Sequence, residues 1–248
     1  MPRAERKKSA TDMYHIMLWG INQQMIFHDA EDYEKFMEIL AECKAISEYK
    51  LFAYCLMGNH VHLLMKTGKE DLSQIFKRIG VRYVYWYNEK YCRRGHLFQD
   101  RFKSEVVEDD RYFLTVLRYI HQNPMNAGIT KNIGEYKWGS YKAYFNKNNS
   151  LIDGELAKEL LGEKFIEFNN EKNEDKCMEH DDSPFRLSDS EAKVIIKQMS
   201  GCDNVEDFLR LESETRATHI LKFKKMGMSI RQISRLTGVS FGVVRAIN

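Results

Sequence analysis

The stretch Cys55-Leu56-Met57-Gly58-Asn59-His60-Val61-His62-Leu63-Leu64-Met65 decides the fold of this chain. Apolar residues on both sides of its central glycine and asparagine predict two strands joined by a tight turn. Side chains two positions apart on a strand point to the same face, so His60 and His62 lie side by side, about 6–7 Å apart. Neutral imidazole is a common metal ligand. The pair is therefore a candidate for two ligands of a metal ion, although His-x-His pairs also arise by chance.

Hydrophobic periodicity on either side of this hairpin predicts further strands and helices. The predicted strands are residues 14–20, 51–56, 61–65 and 102–107, and the predicted helices are residues 29–49, 71–91 and 111–122. In chain order the first six elements are strand, helix, strand, strand, helix and strand, which is the ferredoxin-like split βαβ arrangement. We therefore predict an α+β fold built on an antiparallel sheet, with one added helix after the last strand.

The added helix carries two polar side chains that can reach the histidine pair. Two adjacent aspartates predict its start, and Pro124 followed by Gly128 predicts its end. Tyr119 and Asn123 are four residues apart, so they share one helix face. A phenol and an amide oxygen are thereby available to face the imidazoles.

Four motifs follow one another along the first part of the chain. They are MGNHVHLLM (residues 57–65), GHLFQDRFKS (95–104), LRYIHQNPMNAGI (117–129) and YKWGSYKAY (136–144). In their order and spacing these motifs resemble the HUH single-tyrosine transposases, and within that family the REP-associated tyrosine transposases. The resemblance covers residues 13–144 and implies a ferredoxin-like HUH domain.

The resemblance also implies a role for each residue of the candidate site. His60 and His62 match the HUH histidines, and Asn123 matches the polar residue that completes the metal site. Tyr119 matches the nucleophile, which would attack a DNA phosphate, form a 5′-phosphotyrosine and release a 3′-hydroxyl. The implied cofactor is a divalent ion. Nitrogen and oxygen ligands without cysteine suit Mg²⁺ or Mn²⁺, and zinc is chemically possible.

Three neighbouring residues leave alternatives open. Many insertion-sequence relatives have glutamine at the position of Asn123, so the adjacent Gln122 is an alternative metal ligand. Tyr112, seven residues before Tyr119 on a similar helix face, is an alternative nucleophile. His121 points to another side of the helix and is expected to serve packing or a DNA contact.

Basic side chains near these motifs predict contacts with DNA phosphates, and interleaved aromatic rings can stack unpaired bases. The candidates in the first domain are Arg78, Arg82, Arg101 and Lys103. The resemblance implies single-stranded or hairpin DNA as the partner, and it leaves a monomer and a homodimer both open.

A change in composition divides the chain. Residues 1–145 are the predicted HUH domain, and residues 146–183 are a predicted linker with a possible helix over residues 155–168. Within the linker, residues 171–182 are acidic and poor in apolar side chains, which favours a flexible segment. Residues 184–248 are predicted to form a small all-α domain.

The end of the chain is typical of a helix-turn-helix. Ser229 is placed to cap one helix, Gly238 to supply the turn and Ser240 to cap the next helix. The last helix would then enter the major groove of duplex DNA, with Ser240 and Arg245 as candidate contacts. A plain helical bundle is the alternative.

The composition limits the class of protein. The chain has 248 residues and a formal net charge of only +2, so any basic DNA-binding surface must be local. Five scattered cysteines without a CxxC pair favour reduced thiols, and no long apolar run predicts a membrane span. The expected location is the cytoplasm, in association with the nucleoid.

Three functions are compatible with these features. The first is a metal-dependent single-stranded DNA transposase or endonuclease that cleaves and rejoins DNA at hairpin or repeat sequences. The second is a domesticated DNA-binding regulator that acts through the carboxy-terminal helices. The third is a metal-dependent hydrolase that uses water, with Tyr119 structural. A covalent protein–DNA adduct would exclude the third.

Overall fold

The computed structural model describes residues 7–99, 101–146, 149–172, 177, 189–202, 204–226 and 228–247. They form two compact units, the first mainly within residues 1–179 and the second mainly within residues 180–248. Among the residues that the structure describes, no helix is both long and apolar enough to cross a membrane.

A four-stranded antiparallel sheet forms the centre of the first unit. Its strands are β1 (Met13–Trp19), β2 (Lys50–Met57), β3 (His60–Lys66) and β4 (Lys103–Val106). The strand order across the sheet is β2-β3-β1-β4. The predicted α+β fold with an antiparallel sheet is confirmed, and the elements follow one another in the predicted order.

Long helices accompany the sheet. They are α1 (Ala30–Ser47), α2 (Leu72–Lys90) and α3 (Asp110–Asn126). Each begins after an aspartate whose carboxylate accepts a hydrogen bond from a backbone N–H of the first turn, namely Asp29, Asp71 and Asp109. Such caps satisfy donors that an α-helix leaves unpaired at its start. Short 3-10 helices span Ile21–Gln23, Ile133–Glu135 and Tyr141–Phe145.

The two faces of the sheet carry different helices. His62 of β3 lies opposite Met17 of β1, and directly opposite residues point to the same face of a sheet. The ring of Tyr119 in α3 contacts the ring of His62, which shows that α3 packs on this face. Leu18, which points to the other face, lines a cavity together with residues of α2.

Helix α3 continues past Pro124, where the sequence predicted its end. Proline is disfavoured in helix interiors because it lacks a backbone N–H group. At Pro124 the helix loses the hydrogen bond that the backbone of residue 124 would donate. The backbone N–H of Ala127 still donates to the carbonyl of Asn123 at 2.9 Å, and the helix ends at Asn126. Pro124 therefore lies in the last turn of α3 instead of after it.

The first part of the predicted linker packs on the first unit. It forms α4 (Glu155–Leu161), a 3-10 helix (Gly162–Lys164) and α5 (Phe165–Asn170). Ala157 and Phe165 are buried in the same core as the sheet. The backbone N–H of Asp153 donates to the carbonyl of Leu51 in β2 at 2.8 Å. Most of the predicted acidic segment, residues 171–182, lies outside the described residues.

All regular secondary structure in the described residues of the second unit is helical. Its helices are α6 (Asp189–Ser200), α7 (Val205–Arg210), α8 (Ser213–Lys225), α9 (Ile230–Thr237) and α10 (Phe241–Ala246). Phe208, Phe223 and Ile233 are among the residues buried in its core.

The junction between α9 and α10 contains the two predicted helix caps and the predicted glycine. The hydroxyls of Ser229 and Ser240 accept hydrogen bonds from backbone N–H groups three residues later, so both predicted caps are confirmed. Gly238 has φ of 73°, and a Cβ atom at this position would lie 2.4 Å from a methyl group of Val205. Glycine alone tolerates both the positive φ and the close approach.

Candidate active site

Two histidine rings lie next to each other at the beginning of β3. The ring centroids of His60 and His62 are 5.0 Å apart, and the ring planes are inclined by 86°. His62 is buried, with 1% of its surface exposed, whereas His60 is partly exposed. Nδ1 of His60 lies 2.7 Å from Oδ1 of Asn59, so this carboxamide orients the His60 ring.

The two polar side chains predicted on one face of α3 both reach this pair. The ring centroid of Tyr119 lies 5.5 Å from that of His62, and Nδ2 of Asn123 lies 3.4 Å from Nε2 of His62. Oδ1 of Asn123 is buried and has no hydrogen-bond partner among the described residues. A buried oxygen without a partner is unfavourable, and a cation bound here would satisfy it.

His60, His62 and Asn123 bring two imidazoles and an amide oxygen to one place. Within the described ranges, no group of three or more histidine, cysteine, aspartate or glutamate side chains is arranged to hold a metal ion. The amide oxygen of Asn123 is a further protein donor beside the two imidazoles. Nitrogen and oxygen donors without cysteine suit divalent ions such as Mg²⁺ and Mn²⁺, so the residues present fit such an ion.

The two residues before Asn123 face away from the histidine pair. Nε2 of Gln122 donates to the backbone carbonyls of Asn169 and Glu171, at 2.7 and 2.8 Å. Nδ1 of the buried His121 lies 2.6 Å from Oδ1 of Asn169. Burial lowers the pKa of His121 to about 4, although the hydrogen bond to Asn169 opposes this shift. Both side chains thus connect α3 to α5 or to the residue that follows it.

Tyr112, the alternative nucleophile, lies beside Glu105 and Cys177. Burial is the main cause that raises the pKa of Tyr112, and a hydrogen bond with Glu105 raises it further. Formation of a phenolate is therefore disfavoured at Tyr112. Tyr119, by contrast, contacts the ring of His62.

A third histidine, which no sequence motif singles out, lies against this pair. The rings of His15 and His62 stack with centroids 5.4 Å apart, and Nε2 of His15 lies 3.1 Å from Nδ1 of His62. On its other side, Nδ1 of His15 is 3.9 Å from a carboxylate oxygen of Glu105 in β4. His15 has 0% of its surface exposed. No spacing rule links residues in separate strands, so the pairing of β1 with β3 is needed to find His15.

Burial keeps His62 and His15 neutral near pH 7. Desolvation lowers the pKa of His62 well below its ordinary value, and the electrostatic interaction with the neighbouring rings of His60 and His15 lowers it further. Desolvation also lowers the pKa of His15, although Glu105 opposes this shift. A neutral imidazole retains a lone pair, which a metal ligand requires.

Two of the predicted DNA-binding cations are engaged in ion pairs within the protein. Arg78 donates to one oxygen of Glu70 at 2.5 Å, to the other at 2.7 Å, and to the hydroxyl of Ser47. The hydrogen bond from Arg78 is the largest cause that lowers the pKa of Glu70 to about 2. Arg82 pairs with Glu42 of α1. A DNA phosphate would have to compete with these carboxylates.

Lys103 is the first residue of β4, Arg101 lies two residues before it, and both are exposed. Lys103 is opposite Met17, which is itself opposite His62, so Lys103 and His62 share one face of the sheet. Nζ of Lys103 is 4.8 Å from the ring centroid of Trp19. Arg101 lines a cavity of about 650 Å³ next to α2.

The remaining predicted contacts, Ser240 and Arg245, belong to the second unit. Ser240 caps α10, and Arg245 is exposed in the last turn of this helix. Phe241 and Val243 are also exposed on α10. The surface of this short helix therefore combines apolar side chains with a cation.

Comparison with known proteins identifies relatives of the first unit. A family described as Transposase IS200 like matches residues 9–123. A Haemophilus influenzae protein named putative REP-associated tyrosine transposase is 26% identical over 105 residues, in a match that covers 38% of this chain and 59% of that protein. This chain thus covers less than two thirds of the length of that relative.

The structure of a REP-associated tyrosine transposase bound to a REP hairpin matches with a TM-score of 0.52 and 14% sequence identity. The match covers 60% of this chain and 88% of that chain. At this identity the likeness shows a shared fold. The segment that matches the family contains His60, His62, Tyr119 and Asn123. Over residues 9–123, this chain is therefore similar to the IS200-like transposase family.

Proposed function

We propose that this chain is a metal-dependent transposase that cleaves and rejoins single-stranded DNA, with Tyr119 as its nucleophile. The observation that carries the proposal is the meeting of α3 with β3, which brings Tyr119 and Asn123 against the histidine pair. Cleavage of a phosphodiester by a tyrosine needs a positioned hydroxyl and stabilisation of the phosphate charge. The same small region holds candidates for both tasks.

His60, His62 and Asn123 would hold the divalent ion, Mg²⁺ or Mn²⁺. When bound, the ion supplies positive charge that polarises the scissile phosphate. Two observations support this assignment. His62 is kept neutral by burial, and Oδ1 of Asn123 has no hydrogen-bond partner in the described part of the chain.

The hydroxyl of Tyr119 attacks the phosphorus and loses its proton to solvent water. A bond forms between Oη and the phosphorus while the bond from the phosphorus to O3′ breaks, and the leaving O3′ takes up a proton. The products are a 5′-phosphotyrosine and a 3′-hydroxyl. Because one phosphodiester replaces another, the reverse reaction with a 3′-hydroxyl rejoins DNA without ATP. A free tyrosine has a pKa of about 10, so Tyr119 needs nearby positive charge to react at neutral pH.

Single-stranded or hairpin DNA is the proposed substrate. The transposase of similar fold was solved with a REP hairpin. In this chain Lys103 lies on the sheet face that carries His62. A cation in this position can bind a phosphate of a strand that approaches Tyr119. Arg101, exposed before the start of β4, is a candidate for a phosphate farther along the DNA.

A second candidate function, a DNA-binding regulator, is favoured by the second unit. Ser229 and Ser240 cap α9 and α10, and Gly238 lies between these helices, which supports a helix-turn-helix. We propose that α10 contacts duplex DNA through Ser240 and Arg245, beside the exposed Phe241 and Val243. This function is compatible with an active first unit.

The test is incubation with end-labelled single-stranded hairpins and Mn²⁺, followed by a denaturing gel. We expect a covalent protein–DNA band that Tyr119→Phe abolishes and the matched control Tyr112→Phe retains, while both variants still fold and bind DNA. An adduct that persists in Tyr119→Phe would move the nucleophile elsewhere. Cleavage without an adduct would favour a hydrolase that uses water. Tight binding of several hairpins without cleavage would favour the regulator.

A further inference from the structure

The two partners of His62 together determine which of its nitrogens carries the proton. Nδ2 of Asn123 lies 3.4 Å from Nε2 of His62. An amide nitrogen only donates hydrogen bonds, so Nε2 of His62 must accept and carry the lone pair. Nδ1 of His62 then carries the proton and donates to Nε2 of His15, 3.1 Å away.

The same reasoning extends to the next residue in the row. Since Nε2 of His15 accepts the bond from His62, the proton of His15 is on Nδ1. This Nδ1 is directed at a carboxylate oxygen of Glu105, 3.9 Å away, which is too long for a hydrogen bond but short enough for electrostatic attraction. In this arrangement of protons, the buried Nδ1–H of His15 has no hydrogen-bond partner among the described residues, and the negative charge of Glu105 stabilises it.

We propose that His15 is a positioning residue, which holds His62 in the Nδ1–H tautomer so that its Nε2 lone pair faces Asn123 and the candidate metal site. Glu105 orients His15 from the opposite side. The consequence for metal binding rests on the proposed function, whereas the proton arrangement of His62 does not.

Geometry excludes His15 as a metal ligand of this site. Its Nε2 faces Nδ1 of His62, on the side of the His62 ring away from Nε2, and its Nδ1 faces Glu105. His15 is also fully buried, so water cannot readily replace it as the acceptor. Without an acceptor, a buried N–H at Nδ1 of His62 would be unpaired, which is unfavourable. The ring would then move its proton to Nε2 and lose the lone pair on the site side.

Two substitutions separate the acceptor from the shape of the side chain. His15→Phe retains a planar ring but has no acceptor, whereas His15→Gln can place an amide oxygen near the position of Nε2. Mutation of such outer-shell partners typically costs about 10–100-fold in metal affinity. We expect a loss of that size in Mn²⁺ affinity for His15→Phe, and most of the affinity retained in His15→Gln. Titration of the full-length chain with Mn²⁺ alone, followed by electron paramagnetic resonance of the free ion, measures both.

The second readout is the tautomer of His62 in the metal-free protein, from the ¹⁵N shifts of its ring nitrogens. We expect Nδ1–H in the wild type and in His15→Gln, and Nε2–H in His15→Phe, with unchanged far-ultraviolet circular dichroism. Nε2–H in the wild type would overturn the proposal even if His15→Phe fails to fold. Equal Mn²⁺ affinity in the wild type and a folded His15→Phe would also overturn it. If the tautomers change as expected but no variant binds Mn²⁺, the role of His15 stands and the proposed metal site fails.

Discussion

Replacing Gln122 and Asn123 by alanine, one at a time, should separate the stability of the first unit from its chemistry. Gln122→Ala removes two hydrogen bonds, to the carbonyls of Asn169 and Glu171, at 2.7 and 2.8 Å. A typical hydrogen bond contributes about 0.5–1.5 kcal/mol net, so we expect the free energy of unfolding to fall by about 1–3 kcal/mol. Each kcal/mol should lower the melting temperature by about 2–4 °C in a domain of this size. Metal-dependent adduct formation should persist below the melting transition.

The adjacent substitution should have the opposite effect. Asn123→Ala removes an oxygen that has no hydrogen-bond partner among the described residues, together with one contact of 3.4 Å to His62. The free energy of unfolding should therefore change little. If the oxygen is a metal ligand, Mn²⁺-dependent adduct formation should fall by about 10-fold or more, since even outer-shell changes cost 10–100-fold in metal affinity or activity.

Urea unfolding measures the first quantity for each variant, and the covalent adduct on a denaturing gel measures the second, at a temperature where both variants are folded. The two residues are neighbours on one helix, so each variant is the control for the other. An inactive Gln122→Ala of normal stability, beside an active Asn123→Ala, would refute the reasoning and make Gln122 the ligand.

Two further predictions concern charge. Lys103→Ala should weaken binding of single-stranded DNA and reduce the slope of log affinity against log salt by about 0.7, the value for one lost phosphate contact. Arg82→Ala should leave the affinity and the slope unchanged, because Glu42 already pairs with Arg82. Fluorescence anisotropy at several salt concentrations tests both variants. Burial lowers the pKa of His121 to about 4, from 6.5 in an unfolded chain. The unfolded state therefore binds more protons between these pH values, and the free energy of unfolding should fall as the pH decreases from about 6.5 towards 4, by up to about 1.4 kcal/mol per pH unit from this group. Urea titrations across this range should show a smaller pH dependence in His121→Gln, and an equal dependence would contradict the assignment.

Short-range patterns in the sequence were sufficient for much of the fold and for part of the site. A strand repeats every two residues and a helix about every 3.6. The spacing of His60 and His62, and that of Tyr119 and Asn123, therefore determines that each pair shares a face. Helix caps depend on bonds that span three residues, which is why Ser240 could be placed correctly at the start of α10.

Features that depend on partners far away in the sequence could not be predicted from local patterns. Charge alone selected Arg78 and Arg82 as candidate DNA contacts, whereas in the folded chain Glu70 and Glu42 lie within ion-pair distance of them. The polar composition after residue 146 likewise indicated a linker. A few apolar side chains there, such as Phe165, are buried against residues far away in the sequence, and composition does not show which surface will cover them.

The sequence by itself determined that the chain contains a strand with two histidines on one face and a helix with a tyrosine and an amide on one face. Only the tertiary structure decided that His15 lies behind His62 and Glu105 behind His15. The physical reason is that strand register is set by the burial of whole faces of the sheet, to which all strands contribute. A shift of β1 by one residue would turn His15 to the opposite face, and no local pattern in residues 14–20 excludes that shift.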